Sequence, residues 1–526
     1  MTLLVVGLDG ATLDLVQPWA AAGHLPTLSR LMAAGTAGPL RSTLPPVTAA
    51  AWTSFMTGRD PVHTGVYDFF RGPPGDHRLL SGADVLDPTL WELLSQTGLR
   101  VGVLNVPVTY PPRPLNGYLV PGLLSPDQGE TTYPPRFLAP YRDELGPYRL
   151  TPTTLYQPGR EAAFIADLNH VLEAQIRYAL RIARDHPSDF LMLHFLVTDI
   201  AQHALWRHMD PSHPWHDPVQ AQRYGHAVRD IFARIDAALG DLLALLPADT
   251  TVIVMSDHGF GPLHYVVSLN NLFLAAGLLK LKSEPGVLLR HRLAQQRRLA
   301  KIGWRLLRRQ GRKLLDFDDV GWSRTAAYSM GHMGQVFVNL HGREPQGVVA
   351  PSDYEATLTR VVEALDTLRF PHSGLPLPSE TIRGEDAPQH GPDLHVILDA
   401  YRAVAYPLFV ADGQIVTEQR HGNSGDHRLH GLFIAAGPGI LPGQAISDAR
   451  IVDLAPTILH LLGVAAPAAM DGRVLTEALT PAATSRQPTA SGTARRELRS
   501  VGDLTPAEQS HIEAQLRGLG YLGGAP

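Results

Sequence analysis

The sequence predicts an α/β protein built around a central, mostly parallel sheet. Continuous apolar runs such as LLVVGL, FLMLHFLV and TVIVM, which begin at Leu3, Phe190 and Thr251, are typical of strands buried on both faces. Segments with helical periodicity alternate with these runs, as in βαβ units. At 526 residues the chain is too long for one simple core, so a large domain with an insertion is expected.

The remaining elements follow the same alternation along the chain. Further strands are predicted at 100–106, 335–340, 393–398 and 431–436. Helices are predicted at 13–34, with an interruption near 23–26, and at 48–55, 90–96, 161–185, 221–246, 353–368, 451–462 and 506–519.

Domain organisation is predicted from changes in composition. The catalytic core would comprise residues 1–261 and 393–475, with 262–392 as an inserted cap subdomain. Residues 107–160 are rich in Pro, Gly and Tyr and are interpreted as a loop-rich excursion over the active-site face. Residues 476–526 are interpreted as a linker followed by a C-terminal helix.

Composition excludes several classes of site. The chain has no cysteine, which excludes disulfides, thiolate metal sites and cysteine nucleophiles, whereas its 24 histidines supply ample metal ligands. The formal net charge of -5 does not indicate a general nucleic-acid binder. The N-terminal MTLLVVGLDG has neither a basic secretory n-region nor an apolar run long enough for a membrane span, so a cytoplasmic protein is expected.

A strongly basic segment occupies residues 288–315, LLRHRLAQQRRLAKIGWRLLRRQGRKLL. Its apolar residues recur at roughly helical spacing. One interpretation is contact with an anionic surface, a nucleic acid or an acidic partner. The other is a solvated helix packed through its leucines and Trp304.

Thr48 lies in the stretch TLPPVTAAAWTSFMTG, which begins at Thr43. Pro45 and Pro46 keep the backbone extended, so a helix is predicted to start at Thr48. Unpaired N–H groups and the positive end of the helix dipole suit an oxyanion at that point. An ordinary threonine N-cap is the structural alternative.

Acids follow three of the predicted strands. Asp9 ends the first strand, Asp199 follows FLMLHFLV with His203 four residues later, and Asp257-His258 follows TVIVM. Ligands of open α/β sheets gather at the carboxyl edge of the strands. Taken singly, Asp9-Gly10 is also typical of a turn, and an i, i+4 Asp/His pair also arises by chance.

The whole pattern, including Thr48 and the later His427, resembles the alkaline phosphatase superfamily. It is similar to the branch of predicted phosphohydrolases and phosphomutases related to type I phosphodiesterases and nucleotide pyrophosphatases. The resemblance rests on GLDGATLDL, LPPVTAAAWTSFMTG, TDIAQHALW, SDHGFGP and SGDHRLHGLFIAAGP, and extends to WSRTAAYS, VNLHGREPQGVV and LRGLGYL. It implies a three-layer sandwich with an inserted cap subdomain.

The resemblance also implies a two-metal site with Thr48 as nucleophile. One ion would be bound by Asp9, Asp257, His258 and the Thr48 oxygen, and the second by Asp199, His203 and His427. Two bound divalent ions can stabilise both the attacking and the leaving oxygen of a phosphoryl transfer. Zinc suits this mixture of imidazole and carboxylate, and manganese suits the same set.

Candidate substrate contacts are Arg59, His63 and Phe69, and His264, His332 and His430 also lie near the motifs. Each could instead be a surface or supporting residue. Phe69 stands where the nucleotide pyrophosphatases have an asparagine that donates to the phosphoryl group, which departs from the pattern of those diesterases. The absence of cysteine and the alanines after Thr48 argue against a sulfatase.

The predicted function is hydrolysis of a small-molecule phosphate ester or diester through a phosphothreonine. A phosphomutase is the alternative, although the mutase relatives have serine at the position of Thr48. A non-catalytic metal-binding scaffold is the third interpretation. The sequence indicates neither the substrate nor the oligomeric state.

Overall fold

The chain divides into two compact units in a computed structural model. The structure describes residues 2–72, 78–126, 131–294, 315–384, 391–407, 409, 413–491, 504–519 and 521. The first unit consists of Met1–Val66, Leu80–Pro262 and His421–Pro526, and the second consists of Tyr67–Leu79 and Leu263–Arg420.

The described residues of the first unit form a nine-stranded sheet. Its five central and edge strands are parallel, in the spatial order Thr251–Met255, Leu3–Leu8, Phe190–Phe195, Val101–Leu104 and Gly117–Val120. On the other side, His430–Ala436 pairs antiparallel with Thr251–Met255 and with Thr36–Arg41, and the short strands Gln444–Ala445 and Ala449–Arg450 complete the edge. The apolar runs seen in the sequence are therefore the buried centre of this sheet.

Helices cover both faces of the sheet. Val6 lines a small apolar void together with Ile176 and Ile235, which belong to the long helices Glu161–Asp185 and Ala227–Leu245. The next residue, Gly7, faces the opposite side, where a Cβ atom would meet Trp52 of helix Thr48–Thr57 at 2.5 Å. Because successive strand residues point to opposite faces, the unit has the predicted three layers.

The other helices of the first unit are shorter. They are Leu13–Ala21, Pro26–Ala34, Pro61–Thr64, Leu90–Gln96, Arg142–Leu145, Val197–Met209, Pro218–Tyr224, Leu454–Leu461, Pro481–Thr484 and Pro506–Leu519. Two paired ladders lie outside the main sheet, Gly259–Pro262 with Gly425–Arg428 and Val464–Ala465 with Ala490–Ser491.

The second unit has its own sheet and core. Its described residues form a seven-stranded sheet of Tyr265–Val267, Ala327–Ser329, Gln335–Val338, Ser379–Arg383, Leu394–Leu398, Ala403–Ala405 and Val416–Glu418. Phe70–Arg71 pairs antiparallel with Arg78–Leu79, and the α-helices among the described residues of this unit are Leu269–Ala275, Pro285–Ala294 and Tyr354–Leu365.

The structure corrects one predicted domain boundary and two predictions of secondary structure. Residues 393–420 belong to the second unit, because Leu394–Leu398 pairs with Gln335–Val338 and Ser379–Arg383. The 107–160 excursion contains Gly117–Val120, which extends the parallel sheet of the first unit. The helix predicted over 221–246 is two helices, Pro218–Tyr224 and Ala227–Leu245.

Residues 476–491 contain more secondary structure than the predicted linker. Pro481–Thr484 is helical, and Ala490–Ser491 pairs with Val464–Ala465 before the final helix Pro506–Leu519. Most of the basic segment 288–315 lies outside the described residues, so the interpretations of that segment stay predictions. Among the helices that are described, none combines the length and the apolar character needed to cross a membrane.

Substituting Gly7 by Ala is expected to destabilise the protein. The new Cβ would lie 2.5 Å from Trp52 Cη2 and 3.2 Å from Met192 Cε, and Trp52 is completely buried. Overpacking of this kind costs about 1–3 kcal/mol, which urea denaturation would measure. Gly286→Ala is the control, because its nearest neighbour is Arg290 Nη1 at 3.9 Å. Equal stabilities for the two variants would contradict this account of the packing.

Candidate active site

The register of the parallel strands brings three aspartates to one edge of the sheet. Leu8 pairs with Phe195, and Gly7 pairs with Met255. Asp9 and Asp257 therefore follow neighbouring strands, while Asp199 lies in the first turn of helix Val197–Met209. All three carboxylates are completely buried, as a ligand site at the carboxyl edge of a parallel sheet requires.

Asp199, His203 and His427 form one compact group of possible metal ligands. Oδ1 of Asp199 lies 3.5 Å from Nε2 of His203 and 3.3 Å from Nε2 of His427. The two Nε2 atoms are 3.0 Å apart. Helix Val197–Met209 places Asp199 and His203 on one face, and strand Gly425–Arg428 delivers His427. The structure thus brings together all three residues predicted for one ion.

His258 is the centre of the other group. Its Nε2 lies 3.5 Å from Asp9 Oδ1, 3.3 Å from Asp257 Oδ2 and 3.3 Å from Thr48 Oγ1. The compact group of possible ligands at this point consists of Asp9, His258 and Asp199, with Asp257 adjoining through His258. Asp199 therefore lies within reach of both groups, which the predicted division of ligands did not include.

Thr48 is the first residue of the buried helix Thr48–Thr57, and the N-cap position is occupied by Val47. The alternative of an ordinary threonine N-cap is therefore wrong. The side chain of Thr48 instead approaches His258, at the end of the helix where N–H groups lack intrahelical partners.

The three histidines are oriented alike by backbone carbonyls. Nδ1 of His203 faces Gly425 O at 2.9 Å, Nδ1 of His258 faces Gly259 O at 3.1 Å, and Nδ1 of His427 faces Pro46 O at 2.9 Å. A carbonyl only accepts, so each Nδ1 donates. In the neutral imidazole the lone pair is then on Nε2, which is the atom that points into the site.

Three carboxylate oxygens of the site lack a hydrogen-bond donor among the described residues. Within the described part of the chain, Asp9 Oδ1, Asp199 Oδ1 and Asp257 Oδ2 are buried and accept no hydrogen bond. Such atoms are costly unless a cation compensates them. Buried carboxylate oxygens facing imidazole lone pairs fit divalent metal ions.

The electrostatics of the site also favour bound cations. Burial and the neighbouring charge of Asp199 raise the pKa of Asp9 well above its usual range, and burial together with Asp9 does the same for Asp257. Burial also opposes the charge of Asp199, but without a metal the positive charge of protonated His203 and His427 outweighs burial and lowers the pKa of Asp199. Bound cations would allow all three carboxylates to ionise together.

Comparison with known proteins identifies the family. A sequence model of the type I phosphodiesterase / nucleotide pyrophosphatase family matches residues 3–390. The chain belongs to this family. A search of curated proteins finds no match. Among solved structures, human ectonucleotide pyrophosphatase / phosphodiesterase 5 matches with a TM-score of 0.49 and 13% identity, over 91% of this chain and 100% of that chain.

As a member of this family, the chain is a phosphoric ester hydrolase. The family is metal-dependent and acts on small phosphate esters or nucleotides. The predicted α/β fold, the relation to type I phosphodiesterases and nucleotide pyrophosphatases, and the hydrolase class are confirmed. The Asp and His clusters are the groups of this family member that could hold the metal.

Further residues hold the aspartates, and sequence reasoning missed their roles. Nε2 of His194 lies 2.9 Å from Asp9 Oδ2, and Nε1 of Trp52 donates to the same oxygen at 3.3 Å. The hydroxyl of Tyr521 donates to Asp199 Oδ2. His194 had a signal, because it interrupts the apolar run FLMLHFLV. Tyr521 lies in the motif LRGLGYL, which carried the family resemblance but indicated no contact.

The candidate substrate contacts are not members of the two compact ligand groups. Nη1 of Arg59 pairs with Asp87 at 2.9 Å, and Nδ1 of His63 lies 2.7 Å from Asp471. Phe69 belongs to the second unit, where its ring packs edge-on against that of His332. The substrate roles of all these residues stay predictions, as do those of His264, in the second unit, and His430, on a strand of the main sheet.

Asp257→Asn is expected to stabilise the metal-free protein relative to the wild type, increasingly so at higher pH. The wild-type Asp257 pKa is raised by burial and by Asp9, so the folded state binds more protons than the unfolded state. Wild-type stability therefore falls as pH rises above the ordinary carboxyl range of about 4, and the variant lacks this contribution.

Thermal unfolding of EDTA-treated wild type and Asp257→Asn across a pH series would measure this difference. With metal restored, the order should reverse, because the variant loses a proposed ligand. A constant difference across the pH series would show that Asp257 is ionised in the metal-free fold.

Proposed function

We propose that this family member hydrolyses a phosphate ester or diester through a covalent phosphothreonine at Thr48. The observation that carries the proposal is the position of Thr48 Oγ1, at the start of a buried helix and 3.3 Å from Nε2 of His258. This side chain combines a potential nucleophile with the positive end of a helix, beside residues that fit metal ions.

We propose two divalent ions, with zinc as the first choice. Asp9, Asp257, His258 and Thr48 would hold one ion, and Asp199, His203 and His427 the other. The bound cations would supply the positive charge that favours loss of the Thr48 proton and stabilises phosphoryl oxygens. The imidazole lone pairs and unpaired carboxylate oxygens described above support this assignment.

The reaction divides into two displacements at phosphorus. In the first, Thr48 Oγ1 forms a bond to phosphorus while the bond to the leaving oxygen breaks, the threonine proton passes to solvent, and the leaving group takes up a proton. In the second, water attacks phosphorus, the Oγ1–phosphorus bond breaks, and Thr48 regains its proton. The net reaction consumes one water and releases the protonated leaving group together with phosphate, or with a phosphate monoester when the substrate is a diester.

The scaffold fixes the nucleophile for both displacements. All ten residues of helix Thr48–Thr57 are buried, and Thr53 Oγ1 donates to Ala49 O at 2.8 Å within the helix. The N–H groups of the first turn point towards the end at which Thr48 lies, so a phosphoryl oxygen there would meet donors whose positions are already set. Preorganised donors in a dry site stabilise developing negative charge without reorganisation.

Thr48→Ala is expected to lower kcat at least about a thousandfold, the scale on which removal of a nucleophile acts. Thr48→Ser is the matched control, because it keeps a hydroxyl and should keep substantial turnover. Both variants would be assayed with a chromogenic phosphodiester and the matching monoester, and their metal content would be measured by elemental analysis. Full turnover by Thr48→Ala would disprove the nucleophile assignment.

Acid quenching during turnover should also trap the covalent intermediate. Mass spectrometry of the peptide that contains Thr48 should show the mass of a phosphoryl group plus any retained ester substituent. The adduct should move to serine in Thr48→Ser and be missing in Thr48→Ala. An adduct of unchanged yield in Thr48→Ala would place the covalent step on another residue.

A further inference from the structure

We propose that Tyr521 is a positioning residue that reserves Oδ1 of Asp199 for the ion at His203 and His427. This inference rests on the metal site of the proposed function. Its basis is a juxtaposition across 322 residues, in which the buried Tyr521 hydroxyl donates a hydrogen bond to Oδ2 of Asp199.

Asp199 needs such a constraint because it can reach both ligand groups. It belongs to the group with His203 and His427 and also to the group with Asp9 and His258. A carboxylate has two oxygens and could serve one ion with both or bridge two ions. Without a further contact, the ion to which each oxygen belongs would not be fixed.

The hydroxyl of Tyr521 makes the two oxygens of Asp199 unequal. It occupies Oδ2, whereas Oδ1 accepts no hydrogen bond from the described residues and lies 3.3 Å from His427 Nε2. Asp199 therefore presents Oδ1, the oxygen next to His203 and His427, to an ion bound by these two histidines.

The ring of Tyr521 acts on a second ligand of the same ion. It meets the imidazole of His203 edge-on, with ring centroids 5.7 Å apart and planes at 88°. The residue therefore contacts both ligands contributed by helix Val197–Met209, the hydroxyl at Asp199 and the ring at His203.

A docked helix delivers Tyr521 to this position. Ile512 and Leu516 of helix Pro506–Leu519 are completely buried, and Tyr521 N donates to Leu516 O at 2.9 Å. Near the other end of this helix, the hydroxyl of Tyr110 donates to Glu508. The buried side chains of Ile512 and Leu516 and the hydrogen bond from Tyr521 N set the position of the Tyr521 hydroxyl, and none of these contacts uses the hydroxyl of Tyr110.

Tyr521→Phe tests the proposal, because it removes the hydroxyl and keeps the ring. We expect the ion at His203 and His427 to bind about 10- to 100-fold more weakly, the usual effect of losing a hydrogen-bond partner of a metal ligand. Zinc affinity would be measured by competition with a chromophoric chelator. The visible absorption of the cobalt-substituted protein, which reports coordination geometry, should change as well.

Tyr110→Phe is the matched control. It removes another tyrosine hydroxyl that donates to a carboxylate, here that of Glu508 on the same helix. This variant should bind zinc and cobalt as the wild type does. His427→Ala identifies the affected ion, since it should abolish binding at that position only.

Two results would overturn the proposal. One is a Tyr521→Phe protein with wild-type zinc affinity and cobalt spectrum, and the other is a Tyr110→Phe protein that reproduces the loss. Failure of the proposed function is seen separately, as a wild type that binds fewer than two ions or as full turnover by Thr48→Ala. The test of Tyr521 compares the zinc affinity and cobalt absorption of the ion that is lost in His427→Ala, so it does not depend on turnover.

Discussion

The arrangement of the site depends on three carboxylates that are buried close together. Asp9, Asp199 and Asp257 are completely buried, and each keeps an oxygen without a hydrogen bond from the described residues. Like charges so placed repel one another, and burial opposes each charge. Backbone carbonyls accept from Nδ1 of the three imidazoles, which leaves each Nε2 lone pair directed into the site. Trp52 and His194 contact Asp9 Oδ2, and Tyr521 contacts Asp199 Oδ2, so the other oxygen of each carboxylate is left for the site. The residues around the three carboxylates therefore form a site that favours bound cations.

The sheet supplies the rigidity that this arrangement needs. Parallel pairing of three neighbouring strands fixes Asp9, Asp199 and Asp257 in space through the backbone register. The antiparallel ladder between Gly259–Pro262 and Gly425–Arg428 then brings His427 to the same place. Secondary structure positions ligands more precisely than free loops, which suits a reaction in which small displacements are costly.

Local patterns in the sequence predicted much of the fold and the core of the site. Apolar runs predicted the central strands, and acids directly after them predicted Asp9, Asp199 and Asp257, because strand ends meet at one edge. A glycine-rich loop before a predicted strand marked His427 as a residue that could reach the same edge, but its assignment to an ion needed the family resemblance. Tyr521, the placement of residues 393–420 and the edge strand Gly117–Val120 depend on contacts between distant segments. Periodicity and composition describe only neighbours in the chain and could not predict them.

The wide distribution of the site along the chain has a consequence for folding. The contact between Asp199 and Tyr521 spans 322 residues, that between Asp9 and His194 spans 185, and that between Thr48 and His258 spans 210. No short segment can therefore gather enough ligands to capture an ion. Long-range contacts of this kind form late, after much chain entropy has been lost. Metal uptake would then mark the completion of folding in the first unit and would not nucleate it.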